Sequence, residues 1–203
     1  MRTVLVHAGI CDASMWDGFE LPGELVRHQL PAPLDESFAG ERAALVGNSY
    51  GGYVSLEFAA RRPELVEKLV LLDAPLMDHE FSDEFMAYVN EEERLEEAGD
   101  TDAAVELNLD FWCPGIADRV RPMARETLEL ESEELEQPDL STIRVPTLVA
   151  VGEHDKPDFH AIAGRLAREI PDAELVVIRG AGHLPSMEQP EATARVVSAF
   201  LAR

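Results

Sequence analysis

Three short stretches carry residue types whose spacing can do chemistry. The first is Leu45-Val46-Gly47-Asn48-Ser49-Tyr50-Gly51-Gly52, where an apolar run meets a serine with glycines at −2 and +2. A serine on a sharp strand-to-helix turn needs tiny neighbours at those two places, because backbone packs closely against them. Such a turn exposes the hydroxyl at a helix start, where amide groups favour an oxyanion. A hydroxyl is a poor nucleophile without a base. Of six histidines, His183 stands apart, in Gly180-Ala181-Gly182-His183-Leu184-Pro185 directly after an apolar run. The carboxylate that would orient it lies in Val151-Gly152-Glu153-His154-Asp155, again just past an apolar run. Asp155 and Glu153 are rival acids there, and His154 is a rival base. An oxyanion would need two amide donors. The expected pair is Tyr50, the residue after the serine, and Gly9 in the early loop His7-Ala8-Gly9-Ile10, with Ile10 the next choice. His7 is expected to shape that loop by hydrogen bonding.

The elements around these stretches must bring them together. Residues 3–6, 43–46, 69–72, 147–151 and 175–178 are near-continuous apolar runs without alternation. That pattern suits parallel strands covered on both faces. Between them, residues 50–62, 159–169 and 188–201 carry helical spacing, the first two ending before Pro63 and Pro171. Strand–helix alternation predicts an α/β fold with a mostly parallel sheet and helices on both faces. Residues 76–140 differ: they are acidic and helix-rich, in pieces near 83–98, 101–111 and 119–136. An insertion there would lie over the carboxyl ends of the strands, where such sheets bind ligands. The expected organisation is therefore a core of 1–75 and 141–203 with a helical cap of 76–140. Ile10, Leu109, Phe111, Trp112 and Leu184 are the candidate lining of a substrate pocket.

Composition narrows the partners. The chain has 203 residues, 46% of them apolar, which suits one globular domain. Its formal net charge of −23 argues against nucleic acid and anionic membranes, which need a basic face. Residues 78–139 hold 21 Asp and Glu against four Arg, a net of −17. Such a run reads as a solvated helical surface. Apolar stretches are too short for a membrane span or a signal segment, so a cytoplasmic protein is expected. Cys11 and Cys113 read as free thiols without zinc spacing.

Taken in chain order, Ser49, Asp155 and His183 resemble the α/β-hydrolase superfamily. His7-Ala8-Gly9 with Met15-Trp16-Asp17 looks like its oxyanion loop, Gly152-Glu153-His154-Asp155 its acid loop, and Gly180-Ala181-Gly182-His183 its histidine loop. Val145-Pro146-Thr147-Leu148 resembles the lead into its acid strand. The resemblance selects Asp155 as the acid. It implies a serine hydrolase that cleaves a small ester, lactone or thioester through an acyl-enzyme on Ser49, with no metal or organic cofactor. Dehalogenases and epoxide hydrolases of the superfamily carry Asp where Ser49 stands. Two alternatives share the fold: a cofactor-free perhydrolase and a non-catalytic small-molecule receptor. The departures are instructive. Two strands usual ahead of the first loop are expected to be missing, Ala8 replaces the second residue of the usual "HG" pair, and 16–47 is short. Residues 24–31 are either a strand or a helix. The sheet is thus expected to be reduced, with about six strands, and one edge exposed or used to pair with a second copy.

Overall fold

All five apolar runs become strands, and a sixth strand forms in the ambiguous 24–31 stretch. The computed structural model describes residues 1–127 and 136–203. The strands are β1 (Arg2–Val6), β2 (Glu24–His28), β3 (Ala43–Asn48), β4 (Val66–Leu72), β5 (Thr147–Gly152) and β6 (Glu174–Ile178). Their order is β2-β1-β3-β4-β5-β6, and every pairing is parallel. The helices are α1 (Leu34–Phe38), α2 (Tyr50–Arg61), α3 (Asp83–Glu97), α4 (Thr101–Trp112), α5 (Ala117–Thr127), α6 (Pro157–Glu169), α7 (Pro185–Glu188) and α8 (Pro190–Leu201).

Side chains alternate across a strand, so one sheet feeds two apolar layers. Val4, Val6, Leu45, Leu69, Leu71, Val149 and Val151 pack with Phe38 of α1, Leu56 and Phe58 of α2, and Ile162 and Leu166 of α6. Leu5, Ala44, Val46, Val70, Leu72, Leu148 and Ala150 pack with Met15 and Trp16, and with Val197 and Phe200 of α8. Both layers are needed because all-parallel strands bury both faces. The exception is β6. As an edge strand it leaves Leu175 and Val177 45% and 47% exposed, so the covered-on-both-faces reading fails there.

Topology decides where a ligand can sit. The chain runs from β1 out to β2, then returns past β1 to β3. That reversal opens a crevice at the carboxyl ends of β1 and β3. The expected single helix over 188–201 is broken at Gln189, where α7 ends and Pro190 begins α8. Proline has no N–H to continue the earlier turn, and its fixed φ suits a first helical position. Of the third acidic piece, 119–136, residues up to Thr127 are helix α5, and residues 128–135 lie outside the described residues. The helices between β4 and β5 are tied to the sheet side by polar contacts. Asp158 of α6 accepts from Ser82 N–H at 3.1 Å and Ser82 Oγ–H at 2.6 Å, and Arg165 forms two 2.8 Å bonds to Asp78. Arg119 donates to the Met187 carbonyl at 2.8 Å, joining α5 to α7.

Lys68, one of two lysines, closes the last turn of α8: Nζ donates to the carbonyls of Phe200 and Leu201 at 3.0 Å each. Helix-terminal carbonyls lack intrahelical donors and attract cations. Lys68→Met should lower stability by about 1–2 kcal/mol, read as a lower urea midpoint at unchanged slope. An unchanged midpoint would refute the cap.

Candidate active site

Ser49 sits between β3 and α2 with φ 52° and ψ −124°. A non-glycine residue in that region is strained and persists only where its surroundings enforce it. The enforcement is visible on both sides. A Cβ on Gly47 would stand 2.2 Å from the Gly51 carbonyl oxygen, and one on Gly51 would stand 2.3 Å from the His7 carbonyl oxygen. Both are far inside contact distance, so the −2 and +2 positions accept only glycine. Two further bonds brace the turn: Ser49 N–H donates to the Leu72 carbonyl at 2.8 Å, and Ser55 Oγ–H donates to the Gly51 carbonyl at 2.6 Å.

His183 follows β6, and its ring reaches Ser49. Nε2 lies 2.9 Å from Ser49 Oγ, and Nδ1 lies 2.9 Å from Asp155 Oδ2. A carboxylate only accepts, so Nδ1 carries the hydrogen and Nε2 is left to accept from the serine hydroxyl. His183 is 3% exposed and the Asp155 side chain 1%. The ring is clamped by Trp112, centroids 4.3 Å apart, and by the edge of Phe159 at 4.5 Å. The other oxygen of Asp155 accepts from the Lys156 amide at 2.8 Å. Burial alone would raise the Asp155 pKa. The His183 charge and hydrogen bond outweigh it, helped by bonds from Asp73 and the Lys156 amide, so the carboxyl lies below its ordinary range.

The rivals are elsewhere. Glu153 is exposed and its carboxylate accepts from Gly180 N–H at 2.8 Å, so it braces the histidine loop instead of touching the ring. His154 is also exposed. Several residues that hold His183 carry no motif signal. Asn48 donates to the His183 carbonyl at 3.1 Å and to the Leu72 carbonyl at 3.2 Å. Glu188 accepts from Gly182 N–H at 2.7 Å and Leu184 N–H at 2.9 Å, one on each side of the histidine. A Cβ on Gly152 would stand 1.9 Å from the Gly182 carbonyl oxygen, so the acid strand and histidine loop meet backbone to backbone. Asp73, at the end of β4, is buried beside Asp155 and donates its backbone amide to Ala150. Asp73, Asp155 and His183 form the one group of described residues spaced for a metal ion. Its imidazole nitrogens already face Asp155 and Ser49.

A cavity of about 470 Å³ opens on Ser49 and His183. Gly9, Ile10 and Tyr50 line it, and a Cβ on Gly9 would stand 3.5 Å from Tyr50 Cβ, so the β1 loop runs beside the first residue of α2. His7 holds that loop. Its Nδ1–H donates to the Ala8 carbonyl at 2.9 Å, and Nε2 accepts from the Leu30 amide at 3.0 Å. Burial lowers its pKa, which suits this neutral ring. Of the expected pocket residues, Ile10 and Trp112 line the cavity, whereas Leu109, Phe111 and Leu184 do not. Leu109 and Leu184 are fully buried in the apolar layer. Phe111 stacks on Tyr88 at 4.1 Å, with Lys156 Nζ above its ring. A periodic apolar pattern marks a buried face without saying which side of it is open. The missed lining includes the apolar Leu30, Val54 and Phe58 and a polar group on α3 and α4, where Trp112 Nε1–H donates to Tyr88 Oη and Asn108 Nδ2–H to Glu92 at 2.6 Å.

The family described as "Alpha/beta hydrolase family" matches residues 17–196. The chain is 29% identical over 191 residues to 2-(acetamidomethylene)succinate hydrolase of Mesorhizobium japonicum, covering 84% of this chain and 68% of that protein. It is 26% identical over 184 residues to the carboxylesterase YbfK of Bacillus subtilis, covering 82% and 60%. The chain thus spans about two thirds or less of these relatives. Among solved structures, an enol-lactonase from Burkholderia xenovorans superposes with a TM-score of 0.78 at 22% identity, over 100% of this chain and 91% of that one.

Replacing Glu188 by Ala leaves two amides of the histidine loop without their acceptor. The loss should be about 2 kcal/mol, seen as a lower urea midpoint, and Glu188→Gln, which keeps one acceptor, should lose less. Equal stability of all three proteins would contradict this bracing.

Proposed function

The chain belongs to the alpha/beta hydrolase family, and on that premise we propose that it is a serine hydrolase cleaving a small uncharged ester, lactone or thioester through an acyl-enzyme on Ser49. The observation that carries this reading is the pair of 2.9 Å contacts running from Ser49 Oγ through the His183 ring to Asp155. Ser49 Oγ attacks the substrate carbonyl carbon as its proton passes to His183 Nε2. Asp155 keeps the ring in the tautomer that accepts there and stabilises the imidazolium that forms. The amides of Gly9 and Tyr50 receive the oxyanion of the tetrahedral intermediate. When that intermediate collapses, the leaving oxygen or sulfur takes the proton from His183. Water then attacks the acyl-enzyme, giving its proton to His183, and the acid departs as Ser49 regains its hydrogen.

We assign residues 76–140 as a cap over the core of 1–75 and 141–203. In support, Tyr88, Glu92 and Asn108 join Trp112 in lining the cavity that opens on Ser49 and His183. The cavity combines an apolar part, with Ile10, Leu30 and Val54, and an acidic part, with Asp35, Glu57, Glu92 and Glu96. Arg61 is the one lysine or arginine among the described lining residues, and it already pairs with Glu57 at 3.1 Å. The similar succinate hydrolase is named for a carboxylate substrate. This cavity offers a carboxylate no unpaired cation, so burying one there would be unfavourable. The expected substrate is therefore neutral.

Two measurements test the proposal. Ser49→Ala should cut turnover of p-nitrophenyl butyrate by about 10⁴-fold or more and abolish fluorophosphonate labelling, with the fold retained. Undiminished hydrolysis by this variant would exclude Ser49 as nucleophile. Wild type should also hydrolyse the butyrate ester at least about tenfold faster, in kcat/KM, than the p-nitrophenyl monoester of succinic acid, a discrimination worth about 1.4 kcal/mol. A preference for the succinate ester would overturn the neutral-substrate assignment.

A further inference from the structure

Asp73 is a buried ionisable group beside the catalytic acid that this mechanism leaves unused. It ends β4 in a left-handed conformation, φ 48°, and is 2% exposed. Its Oδ1 accepts from the Gly152 amide at 2.8 Å. Its Oδ2 is buried with no donor directed at it. The carboxyl beside it is that of Asp155: one oxygen of each and a ring nitrogen of His183 lie within 4.8 Å of one another. Two ionised carboxylates offer only acceptor oxygens and repel each other, so burying them side by side is favourable only with one proton between them.

The surroundings say which oxygen holds it. Asp155 faces the His183 ring and the Lys156 amide, both of which favour its ionised form. Around Asp73 stand Asp155 after β5, His183 after β6 and Glu188 on α7, two of the three acidic. Since Oδ1 is already accepting, the proton belongs on Oδ2, and the missing donor at that atom is accounted for.

We propose that Asp73 is a positioning residue: it keeps a proton on Oδ2 and donates it to the Asp155 carboxylate, fixing the carboxylate that in turn orients His183. The kinetic part of this rests on the Ser49–His183–Asp155 reading; the location of the proton does not. Burial, then the charge of Asp155, push Asp73 well above the usual carboxylate range, while the donated bond helps pull Asp155 below it. Asp155 then carries the pair's single negative charge.

Asparagine separates this role from the alternatives. It tolerates a left-handed backbone and can present an N–H where Asp73 presents O–H. Asp73→Asn should retain kcat for p-nitrophenyl butyrate within about threefold, with KM and the acid limb of the pH profile unchanged. Asp73→Ala, which has no donor, should lose at least about tenfold in kcat at similar KM. Its acid limb should move to higher pH, because an unassisted Asp155 binds protons more tightly. If Asn is as damaging as Ala, Asp73 acts as a carboxylate and the proposal fails. If both variants lower only the melting temperature, Asp73 is merely structural and the proposal fails.

The proton is checked without any turnover. Infrared difference spectra at neutral pH should contain the C=O stretch of a protonated carboxylic acid in wild type and lose it in Asp73→Asn. No such band would overturn the assignment even if Ala does not fold. Stability adds a sign. A carboxyl whose folded pKa is raised binds more protons in the folded state, so its contribution fades as pH rises from about 4, where the unfolded group titrates. Asp73→Asn removes that dependence, and its melting temperature should gain on wild type between pH 4 and 7. A constant difference across that range would count against the buried proton.

Discussion

The close approach of backbones around Ser49 is the constraint on which the rest depends. Gly51 of α2 sits against the carbonyls of Val6 and His7 at the end of β1, and Gly47 of β3 sits against Gly51. Three elements are therefore locked at one point with no room for a side chain. The positive φ of Ser49 is the geometric result. Its hydroxyl stands at the mouth of the crevice between β1 and β3 because of the lock, and not because of any contact made by the hydroxyl itself. A strained residue of this kind survives because its surroundings over-determine it.

A second convergence is built on the first. The histidine loop arrives from β6, at the edge of the sheet, yet His183 must meet a serine two strands beyond β5. The gap is bridged by backbone contact between Gly152 and Gly182, and by polar side chains that hold the loop from three directions. Asn48 reaches from β3, Glu153 from the acid loop and Glu188 from α7. The ring itself is gripped by Trp112 and Phe159. Trp112 belongs to the segment between β4 and β5, so that segment contributes to holding the imidazole as well as to lining the cavity. The bonds of Asn48 and Glu188 pair the amides on either side of His183 and its carbonyl, as low-dielectric interiors require.

Charge is distributed with a purpose that the net value hides. The chain is strongly acidic, and the acidic segment brings Glu92 and Glu96 into the cavity wall. Inside the sheet the carboxyls behave differently. Asp155 is held ionised by an imidazole, and Asp73 beside it is pressed toward its neutral form by burial. Two chemically identical side chains are thus driven in opposite directions by a few ångströms of environment. One exposed strand, β6, stands outside this economy, with Leu175 and Val177 turned to solvent.

The sequence by itself determined five of the six strands, their parallel arrangement and the glycines around Ser49. Those features are local: apolar runs mark buried strands, and a steric allowance at −2 and +2 is written in residue type. It also placed Asp155 and His183 just past their own strands. Only the tertiary structure decided the rest. It chose strand over helix for 24–28, because the parallel ladder to β1 outweighs an ambiguous pattern. It broke the last helix at Gln189, removed Leu109, Phe111 and Leu184 from the cavity wall, and put Tyr88, Glu92 and Asn108 into it. It set Asp73, an unremarked residue at the end of a strand, against Asp155. Such contacts join residues far apart in the chain, 20 positions for Tyr88 and Asn108 and 79 for Asp73 and Gly152, and periodicity carries no information about which buried face meets which neighbour.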